Sequence, residues 1–528
     1  MSSFDYSLWP PNLSPTQLET LTLQATTYAF AHGLLYLPSI YPQPPAPNSA
    51  IHAPISLFPS PFPNKLFLQA KRFQRIYNVL YSRIAMDEEF LDQVMGAETG
   101  VGRVDDFIGQ LWKGWKQLRE QGLVQPLQLG IFRSDYMLHE PSERQHSLKQ
   151  VEFNTISASF GALSERVSEL HRYLFGLTHY FGVSPYLRSD KLPDNNTIST
   201  IADGLAEAHK AYGVPSSWIL FVTQPNERNV FDQRWIEYNL FQRYQIRVIR
   251  QTFEQLAVSA TVEGGTSRLC VSCFPDVVPT GFVEVSVVYY RSGYVPSEYT
   301  TPTHYLTRFL LERSRAIKCP SIALQLAGSK KIQEVLTQPT ILERFLCDKQ
   351  RGEVFGDQDI RSIRDTFMDM WGLDIGEDRL TPDSRAPAEG RETHGVHRAR
   401  EKSLSLVLKP QREGGGNNVY KEAIPEFLDK LDPAECEAWI AMELITPPEG
   451  VGNYLLRPGS TGNEAKTAVK ADVISELGIF GWSLFGRDGK VSNEAEGGWL
   501  LRTKGKESNE GGVATGFSVL DSLLLIDD

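Results

Sequence analysis

The stretch Lys409-Pro410-Gln411-Arg412-Glu413-Gly414-Gly415-Gly416-Asn417-Asn418-Val419-Tyr420 constrains this chain more than any other. Three consecutive glycines carry no Cβ, so the backbone there can turn its N–H groups toward an anion, as a phosphate cradle requires. The apolar run 404–408 before it reads as a strand, so the glycines follow a sheet edge. A flexible hairpin tip would use the same glycines. Lys409, a point charge at the strand end, and Glu413, a carboxylate able to hold a metal against phosphates, weigh toward the cradle. The spacing matches neither the Walker A loop nor the dinucleotide fingerprint, which takes support from a P-loop ATPase and from a Rossmann dehydrogenase.

A second cluster runs from Glu152 to Gly161. If residues 151–154 end a strand, Glu152 and Asn154 share one face, because side chains two apart in a strand point the same way. Two oxygen donors on one face suit Mg²⁺, which takes few protein ligands; an edge-strand Glu beside a turn Asn is the alternative. The hydroxyls and N–H groups of Ser157, Ala158 and Ser159 could then grip a carboxylate. Arg133, Lys330 and the pair Arg502 and Lys504 are further candidates, since Arg forks match carboxylates and phosphates, although any one of them taken alone is more often a surface charge. Arg502 and Lys504 lie two apart after an apolar run and are expected on one side of a sheet. Glu510-Gly511-Gly512-Val513-Ala514-Thr515-Gly516 is a second glycine-rich loop able to close over a ligand.

Other pairs carry less. Cys270 and Cys273 form a lone C-x-x-C without a second ligand pair, which favours chance spacing or core packing over zinc. His394 and His397 have helical spacing for a metal, but in a stretch whose composition argues against a built site. No Ser-His-Asp pattern stands out.

The chain has 528 residues, 41% of them apolar, with 53 Lys and Arg against 64 Asp and Glu. That is a folded chain with room for about three domains. A net charge of −11 argues against a surface built for nucleic acid or anionic lipid. Five scattered cysteines, no signal-like start and no long apolar run point to a cytosolic protein that crosses no membrane. Apolar residues Leu66, Ala70, Phe73, Ile76, Tyr77, Leu80 and Ile84 recur at helical spacing, with Asn64 as the expected N-cap. The pattern from Trp218 reads as strand, helix, strand, then a strand over 283–290 and a helix over 305–313, so 214–314 is expected to form a small open α/β module. It would divide a first part, 1–213, from a last part, 315–528. Residues 377–401 hold almost no large apolar side chain and read as a loop insertion, centred on 377–400. Short apolar runs at 405–408, 439–442, 473–474 and 499–501 suit strands of an antiparallel sheet.

Taken together, the motifs RSDYM (133–137), VEFNTISASFGAL (151–163), NERNVFDQR (226–234), YRSGYVP (290–296), ERSRAIKCP and QLAGSKK (312–331), LKPQREGGGNN (408–418), SELGIFG (475–481), LLRTK (500–504) and EGGVATG (510–516) resemble the eukaryotic glutathione synthetase family of ATP-grasp ligases. The resemblance spans most of the chain. It implies an α/β ATP-grasp fold with a helical N-terminal region, an inserted substrate domain and a glycine-rich lid. It also implies ATP-dependent joining of γ-glutamylcysteine to glycine, a Mg²⁺ requirement and a homodimer. On the matching positions, Glu152, Asn154 and Glu413 would hold Mg²⁺. ATP would be surrounded by Glu152, Lys330, Lys409, Pro410, Gln411, Arg412, Glu413, Gly414, Gly415, Gly416, Asn417, Asn418, Tyr420, Met442, Glu443, Leu444, Ile445, Glu476, Lys504 and Glu510. The peptide and glycine side would comprise Arg133, Ile156, Ser157, Ala158, Ser159, Glu227, Arg228, Asn229, Gln233, Arg291, Ser292, Gly293, Tyr294, Arg502, Val513 and Ala514. Arg133, Lys409, Arg502 and Lys504 would carry the charge of phosphoryl transfer.

The chain departs from the family pattern at Ser292, where Asp is expected, at Leu444, where Lys is common, and at Glu510, where Asp is common. Residues 377–400 also run longer than usual. A ligase for another amine, such as β-alanine or serine, and an inactive scaffold keeping the fold are the rival readings; the second expects damaged metal ligands, and all three are present.

Overall fold

The computed structural model describes residues 4–38, 46–141, 146–273, 280–374, 392–413, 415–458, 468–508, 511–513 and 516–527. Helices and strands alternate through a mixed α/β chain. The periodic stripe of residues 66–84 forms the helix Asn64–Ala85, and Leu66, Ala70, Phe73, Ile76, Tyr77, Leu80 and Ile84 are all buried. Asn64 is not its N-cap: the cap position falls on Pro63, which makes no side-chain bond, because Ser60–Pro63 is a strand running directly into the helix.

Among the described residues, thirteen strands make one large sheet. Its centre is the strand Gln128–His139, flanked by Val469–Phe485 on one side and Ile317–Cys319 on the other, with Ser147–Asn154 also paired to it. Beyond Val469–Phe485 come Val491–Gly505 and Ser518–Asp521, all antiparallel. Beyond Ile317–Cys319 come Phe282–Tyr290, Trp218–Val222 and Val248–Gln251, all parallel. The expected order of strand, helix and strand is present as Trp218–Val222, Val230–Tyr244 and Val248–Gln251, and these strands join the same sheet as the 128–139 strand. Parallel strands buried on both faces read as continuous apolar runs, which is why Ile219, Leu220, Phe221 and Val222 are all fully buried.

A second, four-stranded sheet runs in the order Met370–Gly372, Trp439–Glu443, Leu406–Pro410 and Val419–Tyr420, all antiparallel. The apolar runs expected in one antiparallel sheet therefore divide between two: 405–408 and 439–442 in the small sheet, 473–474 and 499–501 in the large one. The insertion also needs correction. Residues 394–401 form a helix capped by Thr393, whose Oγ1 accepts from the Val396 N–H at 3.2 Å. Small apolar side chains suffice here: Val396 and Ala399 pack against Trp371, Leu406 and Leu408, and the Trp371 indole donates to Gly395 O at 3.1 Å. The rest of 377–391 lies outside the described residues. His397 is exposed beside Glu401, and the cysteines at 270 and 273 are free. Among the described residues no helix is long and apolar enough to cross a membrane.

Candidate active site

The strands 147–154, 128–139, 469–485 and 491–505 lie side by side, and the register sets their charged residues across from one another. Asp135 faces Glu152, Arg133 faces Asn154, and Glu476 faces Arg502. Asp135, fully buried, is the hub. Its Oδ1 accepts from Arg133 Nε at 2.6 Å; its Oδ2 accepts from Arg133 Nη2 at 2.7 Å, Asn154 Nδ2 at 3.0 Å and Arg502 Nη2 at 3.1 Å. Arg502 also pairs with Glu476. Burial pushes the Glu476 carboxyl up, against the pull of Arg502. Gly478, opposite Asp135, makes this crowding feasible, because a Cβ there would sit 2.6 Å from Arg133 Cδ and 2.7 Å from Asp135 Oδ1. Neither Asp135 nor Gly478 was singled out from sequence, although Asp135 shares the face of Arg133 by the same alternation that groups Glu152 with Asn154.

The small sheet adds the second half. Lys330, at the start of the helix Lys330–Leu336, places Nζ 3.0 Å from Glu152 Oε2 and 3.1 Å from Glu413 Oε1. Gly328 lets this turn press on the strand end, since a Cβ there would meet Thr155 Oγ1 at 2.2 Å. Lys409, at the strand end as expected, donates from Nζ to Val151 O at 2.9 Å. Burial would raise the Glu152 carboxyl, but Lys330, Lys409 and Arg502 outweigh it and hold the group well below the usual carboxylate range. Glu413 goes the other way: burial and the neighbouring Glu152 push it up to about 7 in spite of Lys330. Burial, with the repulsion of Lys330, pulls the Lys409 ammonium down to about 8 despite Glu152.

Among the described residues no three His, Cys, Asp or Glu side chains converge as a ready-made metal centre. Glu152, Asn154 and Glu413 are instead two carboxylates and one amide. The amide is fixed because its Nδ2 is spent on Arg133 O and Asp135, which turns Oδ1 the other way. This sparse, hard-oxygen donor set fits Mg²⁺, which leaves most of its shell to water and phosphate.

Where the resemblance leads one to expect the peptide, Arg291 donates to Ala158 O and to Ser159 Oγ, both at 2.7 Å, and Arg133 Nη1 donates to Ser159 O at 3.2 Å. The turn carrying them is unusual, with positive φ at Ser157 (53°) and Phe160 (66°). Asp232 holds it, accepting from the N–H groups of Phe160 and Ala162 at 2.9 Å and of Leu163 at 3.3 Å. A carboxylate at the N-terminus of the helix Gly161–Thr178 is favoured by the helix dipole. Glu227 accepts from Asn229 N at 2.8 Å and from Gln233 Nε2 at 2.7 Å. Arg250, also unforeseen, donates to Gln233 Oε1 at 2.6 Å.

Other expected residues face elsewhere. Gln411 donates to Ala438 O and accepts from Lys331 N, and Arg412 pairs with Asp105. Both side chains anchor the hairpin stem. Arg228 donates to Leu37 O from Nε. The side chains of Ile156, Ala158 and Met442 are buried in the core. The Leu444 N–H is taken by Ser405 O and the Glu443 N–H by Asp369 O, so a base edge would need other backbone groups of 442–445. Asn418 donates to Tyr420 OH, and Asn417 to Gly415 O. Lys504 follows Arg502 by two positions, opposite Ile474. Val513 is buried, and a Cβ on Gly511 would lie 3.9 Å from Glu476 Oε2, which brings Gly511 to the cluster. Gly414, Glu510 and Ala514 lie outside the described residues.

Two sheets and the helix Lys330–Leu336 thus deliver carboxylates, ammoniums and guanidiniums to one cluster, the equipment of an α/β enzyme that handles anionic substrates. The family model described as "Eukaryotic glutathione synthase, ATP binding domain" matches residues 15–525. Glutathione synthetase from Homo sapiens is 38% identical over 96% of either chain. Glutathione synthetase large chain from Schizosaccharomyces pombe is 37% identical over 97% of this chain and 98% of its own. The solved structure of a glutathione synthetase-like effector from Globodera pallida shares the fold, with a TM-score of 0.71 at 24% identity over 98% of both chains. The chain belongs to the eukaryotic glutathione synthetase family, and is an ATP-dependent ligase.

Proposed function

We propose that this chain joins γ-glutamylcysteine to glycine, with ATP phosphorylating the cysteinyl carboxylate and glycine displacing phosphate from the acyl phosphate. The observation that carries the reading is the meeting of Glu152, Lys330 and Glu413, from three distant segments, beside the Arg133–Asp135–Arg502 network. A carboxylate resists attack by an amine until oxide is converted into a better leaving group, so the chain must bring a triphosphate and a carboxylate together. ATP would lie between the small and the large sheet in an ATP-grasp arrangement, with Lys330 and Lys409 toward its phosphates. Mg²⁺, held by Glu152, Asn154 and Glu413, would neutralise phosphate oxygens when bound.

Arg133 joins the Asp135 network to the turn that carries Ser159, because one guanidinium reaches both Asp135 and the Ser159 carbonyl. It therefore stands where the dipeptide carboxylate and the transferring phosphoryl group would meet, and Arg502 faces the same point. The glycine-rich loops 414–416 and 511–512 are the lids that would keep water from the acyl phosphate. We further propose the division into 1–213, 214–314 and 315–528, a homodimer, and a cytoplasmic location.

Purified protein incubated with ATP, Mg²⁺, γ-glutamylcysteine and glycine should yield the tripeptide by mass. β-Alanine and serine in place of glycine should give less. ADP without tripeptide, or a preference for another amine, would overturn the reading. Glu413→Ala should abolish turnover and leave the fold intact, as judged by an unchanged unfolding transition; full turnover would remove Glu413 from the metal site.

A further inference from the structure

The loop after the strand Phe282–Tyr290 carries Arg291 to Val295, and its donors converge on one carboxylate further along, Glu298 in the turn Pro296–Glu298. Glu298 Oε2 accepts from three successive N–H groups, Gly293 and Tyr294 at 2.9 Å and Val295 at 3.2 Å. Its Oε1 accepts from Ser292 Oγ at 2.8 Å and from Gln224 Nε2 at 2.7 Å, and the same Gln224 amide donates to Tyr294 OH at 2.7 Å. Successive N–H groups aimed at one point form a nest for an external anion. Here the chain fills its own nest.

We propose that Glu298 is the positioning residue of the 291–295 loop, supplying from six positions downstream the carboxylate that Ser292 lacks. An Asp at 292 could accept from the N–H of Tyr294, two residues on, in an Asx turn. A Ser holds such a turn more weakly, and its hydroxyl instead donates to Glu298. Arg291 fixes one end of the loop on Ala158 and Ser159. Glu298 fixes the other, so that Tyr294 and the loop backbone keep one orientation toward the peptide. Ser292 and the N–H groups of 293–295 are thereby engaged within the loop rather than offered to substrate. The inference rests on the proposed function and on the dipeptide lying against 291–294, as the family resemblance implies.

The test compares wild type, Glu298→Ala and the double variant Ser292→Asp with Glu298→Ala. In Glu298→Ala the KM for γ-glutamylcysteine should rise on the order of tenfold while that for ATP stays within about twofold. Amide hydrogen exchange at Gly293, Tyr294 and Val295 should speed up in the substrate-free protein. Adding Ser292→Asp should bring both readouts back toward wild type. An unchanged dipeptide KM, an equal rise for ATP, or no recovery on adding Asp would overturn the proposal. A wild type that makes no glutathione would sink the proposed function alone, because the exchange measurement decides the role of Glu298 without turnover.

Discussion

A single buried carboxylate, Asp135, satisfies two guanidiniums and an amide at once, and its removal leaves the buried Arg133 without a carboxylate and the half-buried Arg502 with Glu476 alone. Breaking one partner of such a network costs about 3–5 kcal/mol, far more than an exposed pair would. Asp135→Asn, which retains one acceptor, should therefore lower stability by about 2–3 kcal/mol in denaturant unfolding. It should also cut kcat/KM on the order of a hundredfold, since Arg133 and Arg502 lose their aim. Wild-type values in both measurements would show that the hub is dispensable. The basic members of the site were legible in the sequence because a charge beside apolar strand residues stands out. Two of the acidic holders, Asp135 and Asp232, were not. Asp232 acts on N–H groups about seventy positions away in the chain, and nothing local to NERNVFDQR marks that partnership.

Elements were readable where periodicity was strong, as in the helix Asn64–Ala85, whose apolar stripe faces the 469–485 and 491–505 strands. They were misread where small side chains bury a face, as with Val396 and Ala399 in the helix His394–Glu401. Glycines divide in the same way between those an element needs and those it tolerates. In the strand Val469–Phe485, Gly478 has Arg133 and Asp135 pressed against it, whereas Gly176, within the helix Gly161–Thr178, has nothing within 4 Å of an added Cβ. Gly478→Ala should destabilise by about 1–3 kcal/mol through overpacking and reduce activity with it. Gly176→Ala should stabilise by about 0.5–1 kcal/mol, because helical Gly wastes backbone entropy, and should leave activity unchanged. Thermal unfolding of the two variants beside wild type reads both signs; equal shifts would show that space at Gly478 is not what limits it.

Across the whole molecule, pairings between distant segments had no local signature, and the thirteen-strand order could not be read from any stretch of sequence. The two ends of the chain are woven together: Leu523–Ile526 runs parallel to Ser60–Pro63, and Ser518–Asp521 pairs with Ile55–Ser56. Two buried titratable groups sit at that seam. His171 donates from Nε2 to Ser56 O at 2.9 Å and accepts at Nδ1 from Ser522 Oγ at 2.6 Å. Asp521 accepts from Ser60 Oγ at 2.6 Å and from Thr503 Oγ1 at 2.7 Å. Burial draws the His171 imidazole down to about 4 and pushes the Asp521 carboxyl up to about 6. Between about pH 4 and 6.5 the unfolded chain binds more protons at His171, so that group's stabilisation is full above this window and is lost as pH falls through it. Between about pH 4 and 6 the folded chain binds more protons at Asp521, so its contribution falls as pH rises. Each term amounts to about 3 kcal/mol, and the two nearly offset. Asp521→Asn removes only the falling term. Relative to wild type, its unfolding free energy should therefore climb by about 3 kcal/mol from pH 4 to pH 7 in denaturant titrations. A constant difference between the two proteins over that range would mean that Asp521 ionises in the fold as it does in the unfolded chain.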